Sequence, residues 1–206
     1  LDVKVESCAE CHEDVKTAED LTDVRMVSSA NDYDGDGDVE EGIYYEVEGL
    51  RENLYAEIQK YAATTAGSAL VYDSHSYPYF FNDTNANGTV EEGEASFPNA
   101  YSSWTPRLLK AAYNYQVSLK DPGAYAHGGK YIIQLMHDSI ADLGGDVSAL
   151  VRSDAGHFAG NTEPFRHWDS EEEGNGVVPF GCVKCHTATG LPDFLAAGGS
   201  TMVSAS

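Results

Sequence analysis

The sequence predicts a mainly α-helical domain with extensive irregular loops, organised around bound cofactors. Three observations lead to this prediction. Apolar residues recur at three- and four-residue spacing in several stretches, which is the pattern of amphipathic helices. Strand signals are scarce. Two cysteine-histidine motifs and two Asp/Asn/Gly-rich loops occupy much of the remaining chain, and a length of 206 residues suits one domain.

The first helix is predicted directly after an acidic loop. Its apolar positions are Ile43, Val47, Leu50, Leu54, Ile58 and Tyr61. A second helix is predicted to begin at Thr105 and Pro106, which suit an N-cap and a first helical position, and to end before Asp121-Pro-Gly123. A third helix is predicted from about Lys130 to Leu143, where two glycines stop it.

All four cysteines of the chain lie in two short motifs. These are Cys8-Ala-Glu-Cys11-His12 and Cys182-Val-Lys-Cys185-His186. C-x-x-C-H is the attachment pattern of c-type haem, in which two thioethers hold the porphyrin and the adjacent histidine is the proximal iron ligand. The motifs therefore predict two covalent haems and a role in electron handling. The alternatives are a zinc ribbon, a redox dithiol and structural disulfides, but zinc-binding cysteine pairs usually lie within about 15–20 residues of each other.

The formal net charge of −22 limits the possible partners. Such a surface repels nucleic acid and anionic lipid and attracts cations or basic proteins. We expect no membrane span, because the sequence has no apolar run of sufficient length. The chain begins at Leu1, from which we expect that a secretion signal has been removed. Covalent haem fits the same location: secreted, extracellular or at the cell surface, with the periplasm as the alternative.

The first acidic loop predicts a calcium site. Oxygen-bearing side chains alternate from its first residue, and Gly37 at the sixth position permits a sharp turn, as in the first half of an EF-hand loop. The twelfth position is Ile43, where an EF-hand has a bidentate glutamate. The alternative is a turn without a metal. The predicted ligands are Asp32, Asp34, Asp36 and Asp38, the last through its carbonyl oxygen, with Glu40 or Glu41 closing the site.

A second loop repeats the pattern with fewer charges. Both loops share Val-Glu-Glu-Gly at matching offsets, so they form an internal repeat. Asn82-Asp-Thr84 and Asn87-Gly-Thr89 also match the N-glycosylation pattern, but calcium ligation explains these asparagines better. Together the loops predict one or two calcium ions. The predicted ligands of the second are Asp83, Asn85, Asn87, Thr89, Glu91 and Glu94.

Five further histidines and three methionines are available as distal iron ligands. Histidine gives a lower potential than methionine, and the surplus of histidines favours it at both irons. His137 lies within a predicted helix and is interpreted as an ordinary histidine. The four remaining candidates are His75, His127, His157 and His167.

Several segments of the sequence resemble the C-terminal part of secreted multihaem c-type cytochromes, over about residues 32–195. The resemblance implies a cytochrome c-type domain organised by its haems, with His127 and His157 as the preferred distal ligands and His75 and His167 as alternatives. Some members of this family form extracellular filaments with stacked haems. The segments that carry the resemblance are residues 72–81, 104–116, 121–127, 156–158, 165–169 and 182–190.

We therefore predict one dihaem domain over residues 1–206. It comprises an N-terminal haem segment (1–31), calcium loops and helices (32–145), a C-terminal haem segment (146–197) and a tail (198–206). The predicted function is electron transfer, with the chain as a subunit of a homopolymeric filament that exchanges electrons with redox proteins or an extracellular acceptor. The alternatives are a soluble periplasmic shuttle, a dihaem peroxidase-type enzyme, and a calcium-dependent adhesive protein.

Overall fold

The computed structural model describes residues 4–9, 12–25 and 31–152. Its α-helices are α1 (Val5–Cys8), α2 (Ile43–Tyr61), α3 (Pro106–Lys120), α4 (Ala124–His127) and α5 (Gly129–Leu143). Two short strands, β1 (Leu70–Tyr72) and β2 (Phe80–Asn82), form an antiparallel pair. Within these residues helix is the main regular structure, which agrees with the predicted mainly α class.

The core forms where α2 packs against α3 and α5. Leu50, Leu54 and Ile58 of α2 are fully buried, and they recur at the spacing that places them on one side of the helix. Ile133 and Met136 of α5 meet them in the same cluster. Burying a side chain of this size stabilises a fold by about 1.5–3 kcal/mol, so this three-helix contact contributes substantially to stability.

Local sequence signals define the ends of the helices. The Thr105 hydroxyl accepts a hydrogen bond from Leu108 N (3.1 Å), and Pro106 occupies the first turn of α3. Helix α5 ends at Gly144, whose φ of 87° lies in the left-handed region that glycine adopts without strain. The three predicted helices are thus confirmed, and α5 begins one residue before the predicted Lys130.

The strand pair lies between α2 and the second acidic loop. A π-helical turn, Ala62–Ala66, extends α2 and ends at Gly67, after which β1 pairs with β2 in the register Leu70–Asn82. Val71 and Phe81 are fully buried. This hairpin therefore fixes the start of the second acidic loop against the core.

The N-terminal segment packs against the start of α2. A 3₁₀ turn at Glu19–Asp23 lies so close to Gly42 that a Cβ there would overlap the Thr22 carbonyl oxygen. The Thr22 and Tyr45 hydroxyl groups are 3.2 Å apart. Among the described residues no helix has the length and apolarity that a membrane crossing requires.

The Thr105 cap gives a test of this fold. Replacing Thr105 by Ala removes the hydrogen bond to Leu108 N, and we expect a loss of about 1 kcal/mol in the free energy of unfolding. Chemical denaturation measures this loss. Thr64→Ala is the control, because the Thr64 hydroxyl bonds a helical carbonyl (2.7 Å) at an exposed position; an equal loss in both variants would contradict the capping role.

Candidate metal site and haem-attachment segments

Asp32 organises the first acidic loop through backbone hydrogen bonds. Its Oδ1 atom accepts from Gly35 N (2.6 Å) and its Oδ2 atom from Gly37 N (2.8 Å). Gly37 has a φ of 99°, a conformation that favours glycine, and it closes the turn. The loop is thus folded around the carboxylate of its first residue.

The following aspartates repeat one local contact. Asp34 Oδ1 accepts from Asp36 N (3.1 Å), Asp36 Oδ1 from Asp38 N (2.7 Å), and Asp38 Oδ1 from Glu40 N (2.8 Å). These contacts curl the backbone and turn alternate carboxylates towards one centre. Ligand oxygens of Asp32, Asp34 and Asp36 lie within 4.8 Å of one another, a separation that one hard cation with oxygen ligands bridges.

A second carboxylate group adjoins the first and shares Asp34 with it. Carboxylate oxygens of Asp34, Glu41 and Glu46 also lie within 4.8 Å of one another. Of the two glutamates predicted to close the loop, the structure thus brings Glu41 to Asp34. Glu40 is exposed and does not belong to either group among the described residues.

Glu46 is a residue of this site that the sequence analysis missed. It lies in the first turn of α2 and is fully buried. Its Oε2 atom accepts from Tyr33 N (2.7 Å) and Asp34 N (3.1 Å), so the carboxylate holds the loop backbone at its second and third residues. Its place beside Ile43, Val47 and Leu50, on the core-facing side of α2, was the available sequence signal.

Arg25 supplies the positive charge opposite Glu46. The guanidinium Nη1 atom donates to Glu46 Oε1 (2.5 Å) and to the Glu41 carbonyl oxygen (2.8 Å), and Nη2 donates to the Asn31 carbonyl oxygen. The side chains of this ion pair are 7% and 0% exposed. The guanidinium also lies 5.9 Å from the centre of the Tyr33 ring.

The position of Asp34 requires a glycine on α2. A Cβ at Gly49 would overlap the Asp34 carboxylate, which therefore lies directly against the helix backbone. An open pocket of about 350 Å³ borders this contact, and Asp34, Asp36, Glu41, Glu48 and Glu52 contribute carboxylates to its lining. A cation in this pocket would meet negative charge from both the loop and the helix.

Burial and mutual repulsion disfavour ionisation of these carboxyl groups. Burial raises the pKa of Asp34 to about 6, and the nearby Glu46, Asp36 and Asp32 carboxylates add to the shift. Burial and the Glu46 and Asp34 charges raise the pKa of Glu41 to about 7. Glu41 Oε1 is buried and has no hydrogen-bond partner among the described residues. Burial also raises the pKa of Glu46, although Arg25 and the loop N–H groups oppose this.

The second loop folds in the same way around Asp83. Asp83 Oδ2 accepts from Gly88 N (2.7 Å) and Oδ1 from Asn87 N (3.3 Å), so the first residue again bonds the sixth. Asn85 Oδ1 accepts from Asn87 N (3.0 Å), and Asn87 Oδ1 accepts from Thr89 N (2.8 Å). The predicted internal repeat is therefore a repeat of loop conformation as well as of sequence.

The predicted ligands Glu91 and Glu94 close the second loop by hydrogen bonds. Glu94 Oε1 accepts from Thr84 N (2.8 Å), and Glu94 Oε2 accepts from Glu91 N (3.1 Å). The Glu91 carboxylate accepts from the side-chain amides of Asn85 (2.8 Å) and Asn87 (2.7 Å). The Thr84 hydroxyl and the backbone N–H groups of Thr84 and Glu91 hold the pKa of Glu94 below its usual range.

The two loops use equivalent glutamates at different positions. Glu94 bonds the N–H of the second residue of its loop, and Glu46 bonds the N–H of the second residue of the first loop. Counting the first aspartate as one, Glu94 is the twelfth residue and Glu46 the fifteenth. Since the first acidic loop continues directly into α2, the glutamate that bonds its second residue comes from the helix.

The described residues include part of the first haem motif. Cys8 is the last residue of α1, and His12 is exposed. The His12 carbonyl oxygen accepts from Val15 N (3.0 Å), while its exposed imidazole is accessible to an iron. The other predicted haem residues, Cys11, Cys182, Cys185, His186, His157 and His167, lie outside the described residues.

The remaining histidines differ in exposure. The His75 side chain is 93% exposed on a turn, with Nδ1 3.4 Å from Asp73 Oδ1. His127 is the last residue of α4, separated from α5 by Gly128 alone. The His137 side chain lies on α5, 13% exposed, as expected for an ordinary helix histidine.

Comparison with known proteins finds relatives among the polyheme cytochromes. The chain is 33% identical over 113 residues to the C-type polyheme cytochrome OmcB of Geobacter sulfurreducens, in two strains, and to OmcC of the same species. It is a relative of the multihaem c-type cytochromes. This finding confirms the resemblance seen in the sequence. The alignments cover 48% of this chain and 15% of each relative, so the chain spans only a small part of the length of these cytochromes.

No family model matches the chain, and no solved structure matches it. The geometry of the candidate sites in this multihaem cytochrome relative therefore rests on the contacts within this chain. The first acidic loop has the most extensive of these contacts.

Gly49 gives a test of the loop geometry. Ala is normally favoured over Gly within a helix by about 0.5–1 kcal/mol, but here its Cβ would displace the Asp34 carboxylate. We expect Gly49→Ala to lower the melting temperature, and Asp34→Ala to remove the penalty in the double variant. Thermal unfolding of the unaltered protein, the two single variants and the double variant measures this coupling. Additive changes in melting temperature would contradict the contact.

The raised pKa of Glu41 predicts a dependence on pH. Because the folded protein binds this proton more tightly than the unfolded chain, Glu41 costs stability as pH rises from about 4.5 to about 7. In chelator at pH 7, Glu41→Gln should therefore raise the melting temperature by about 2–4 °C, the shift that about 1 kcal/mol gives in a domain of this size. At pH 4.5 the two proteins should melt alike. A pH-independent difference in calorimetry would contradict the assignment.

Proposed function

We propose that this chain is a dihaem c-type cytochrome that transfers electrons and has no enzymatic activity. One observation carries the proposal: every cysteine belongs to a C-x-x-C-H motif in a chain related to polyheme cytochromes. Haem supplies one-electron exchange when bound, and the protein holds it, ligates its iron and sets its potential. Redox proteins or an extracellular acceptor are the proposed electron partners.

The proposed haem residues fit their roles by donor chemistry. Cys8 and Cys11, and Cys182 and Cys185, supply thiols for covalent attachment, while His12 and His186 supply the proximal imidazoles. The exposure of His12 supports this role at the first haem. Each motif keeps the thiols and the imidazole within five residues, so that one porphyrin meets all three groups.

We propose His127 and His157 as the distal ligands, with His75 and His167 as alternatives. The position of His127 at the end of α4 supports its choice, because two helices meeting at Gly128 fix the backbone of a ligand. The exposure of His75 leaves its imidazole accessible to an iron brought by another segment or another subunit. His137 is not proposed as a ligand.

The haem proposal predicts two low-spin haems per chain. The pyridine haemochrome assay should give two haems in the purified protein and one in a Cys182→Ala/Cys185→Ala variant. His127→Ala should convert one iron to high spin in the oxidised EPR spectrum, because it loses its sixth ligand, whereas His137→Ala should leave the spectrum unchanged. One haem in the unaltered protein, or high-spin iron before mutation, would contradict the proposal.

We further propose that the first loop binds calcium and that the second loop offers a second site. Asp32, Asp34 and Asp36 supply carboxylates, Asp38 a carbonyl oxygen, and Glu41 rather than Glu40 closes the first site. Carboxylate oxygens of Asp32, Asp34 and Asp36 lie within 4.8 Å of one another, and those of Asp34, Glu41 and Glu46 do so as a second group. These two groups, and the lack of a hydrogen-bond partner for Glu41 Oε1 among the described residues, support this choice. At the second loop the proposed ligands are Asp83, Asn85, Asn87, Thr89, Glu91 and Glu94.

Calcium should stabilise the folded protein alone, since the unfolded chain does not preserve the loop. At a hundredfold excess over the dissociation constant the gain is about 2.7 kcal/mol. We expect the melting temperature of the haem-loaded protein to fall in chelator and to recover with calcium. Asp32→Asn should reduce this response, whereas Asp14→Asn, an equal change of charge at an exposed position, should not. A calorimetric scan that is the same with and without chelator would contradict the site.

The proposed setting is extracellular or at the cell surface, with the chain as a subunit of a homopolymer. Exposed aromatic side chains support such contacts: Tyr77 and Phe97 stack with ring centres 6.3 Å apart, and Tyr113 and Tyr131 project from α3 and α5. Bound calcium would reduce the repulsion between copies that carry a charge of −22. Light scattering in calcium distinguishes the candidates: large assemblies support the filament, while a discrete monomer or dimer supports a periplasmic shuttle.

A further inference from the structure

Arg25 joins the N-terminal segment to both ends of the first acidic loop and to the first turn of α2. It belongs to the N-terminal segment 12–25, and its guanidinium reaches the carbonyl oxygens of Asn31 and Glu41 and the carboxylate of Glu46. Asn31 directly precedes the first acidic loop, and Glu41 lies near its end. The guanidinium therefore spans the base of the loop.

The planar shape of the guanidinium matters for this arrangement. Arginine presents several N–H donors in a fixed fork, so one side chain holds two carbonyl groups and a carboxylate together. A lysine ammonium at the same position would keep the charge but lose the fork. The 7% exposure of the Arg25 side chain shows that these contacts are made away from solvent.

The same contacts lead from the proposed calcium ligands to the N-terminal segment. Asp34 places its carboxylate in the ligand cluster, and its N–H donates to Glu46 Oε2, while Glu46 Oε1 accepts from Arg25. Each contact in this series is a hydrogen bond or an ion pair between buried groups. A cation that fixes Asp34 thus favours the arrangement in which Glu46 receives Arg25.

We propose that Arg25 is a positioning residue of the first acidic loop, which links calcium binding there to the docking of the N-terminal segment 12–25. The inference rests on the proposed calcium site. Glu46 then acts by holding the Tyr33 and Asp34 N–H groups rather than as a calcium ligand, because both of its oxygens are already engaged. This segment begins at His12, the proposed proximal ligand of the first haem.

Linkage is reciprocal, so two measurements report the same coupling. Calcium should slow hydrogen exchange of the backbone amides at 17–25 in the haem-loaded protein by about five- to tenfold, an ordinary size for coupling between two sites. Arg25→Met should weaken calcium binding, measured by titration calorimetry, by a similar factor and abolish the effect of calcium on exchange. Arg25→Lys should recover only part of the affinity.

The matched control is Arg107→Met, which removes the same charge from α3, where Arg107 pairs with Asp142 at 3.3 Å. It should change neither calcium affinity nor exchange at 17–25. Equal calcium affinities in the Arg25→Met and Arg107→Met proteins would overturn the proposal. If Arg25→Met fails to fold, the calcium affinity of Arg25→Lys and the effect of calcium on hydrogen exchange at 17–25 in the unaltered protein still test the proposal.

The outcomes separate this inference from the proposed function. Calcium that binds the unaltered protein without slowing exchange at 17–25 would overturn the link and leave the calcium site in place. A calorimetric titration without calcium binding would overturn both. Neither result affects the haem assignment, which the haemochrome assay tests by itself.

Discussion

The buried Glu46 carboxylate constrains the rest of the described structure. A charge in a protein interior is costly unless it is paired and hydrogen-bonded, and Glu46 obtains both from Arg25 and from two loop N–H groups. Removing one partner of such a pair typically costs about 3–5 kcal/mol. Because Glu46 also belongs to α2, the central helix of the core, this one interaction ties the N-terminal segment and the first acidic loop to the helix packing.

In the proposed electron carrier, the acidic loop would have a structural role. Stiff surroundings hold a haem ligand in one position, and a calcium-bound loop next to the N-terminal segment would supply such stiffness without a larger core. Cys8 and Cys182 lie near opposite ends of the chain. In the proposed polymer, a haem near each end of the chain would let electrons enter one copy and leave to the next.

The sequence predicted those features that local chemistry determines. Thr105, Pro106 and Gly144 marked helix ends because capping depends on neighbouring residues, and the turn of the first loop followed from Asp32 and Gly37. Arg25 was missed because its partners lie up to 21 residues away and only tertiary packing brings them together. Glu46 was missed because the EF-hand pattern directs attention to the twelfth position, whereas its place on the core-facing side of α2 indicated an internal partner.

A spectroelectrochemical titration of the purified haem-loaded protein tests the central claim, electron transfer by two haems, most directly. We predict that each chain takes up two electrons reversibly in two one-electron steps, with the absorption changes of low-spin c-type haem at both. Uptake of a single electron, or a reduced protein that fails to reoxidise reversibly, would contradict the dihaem carrier.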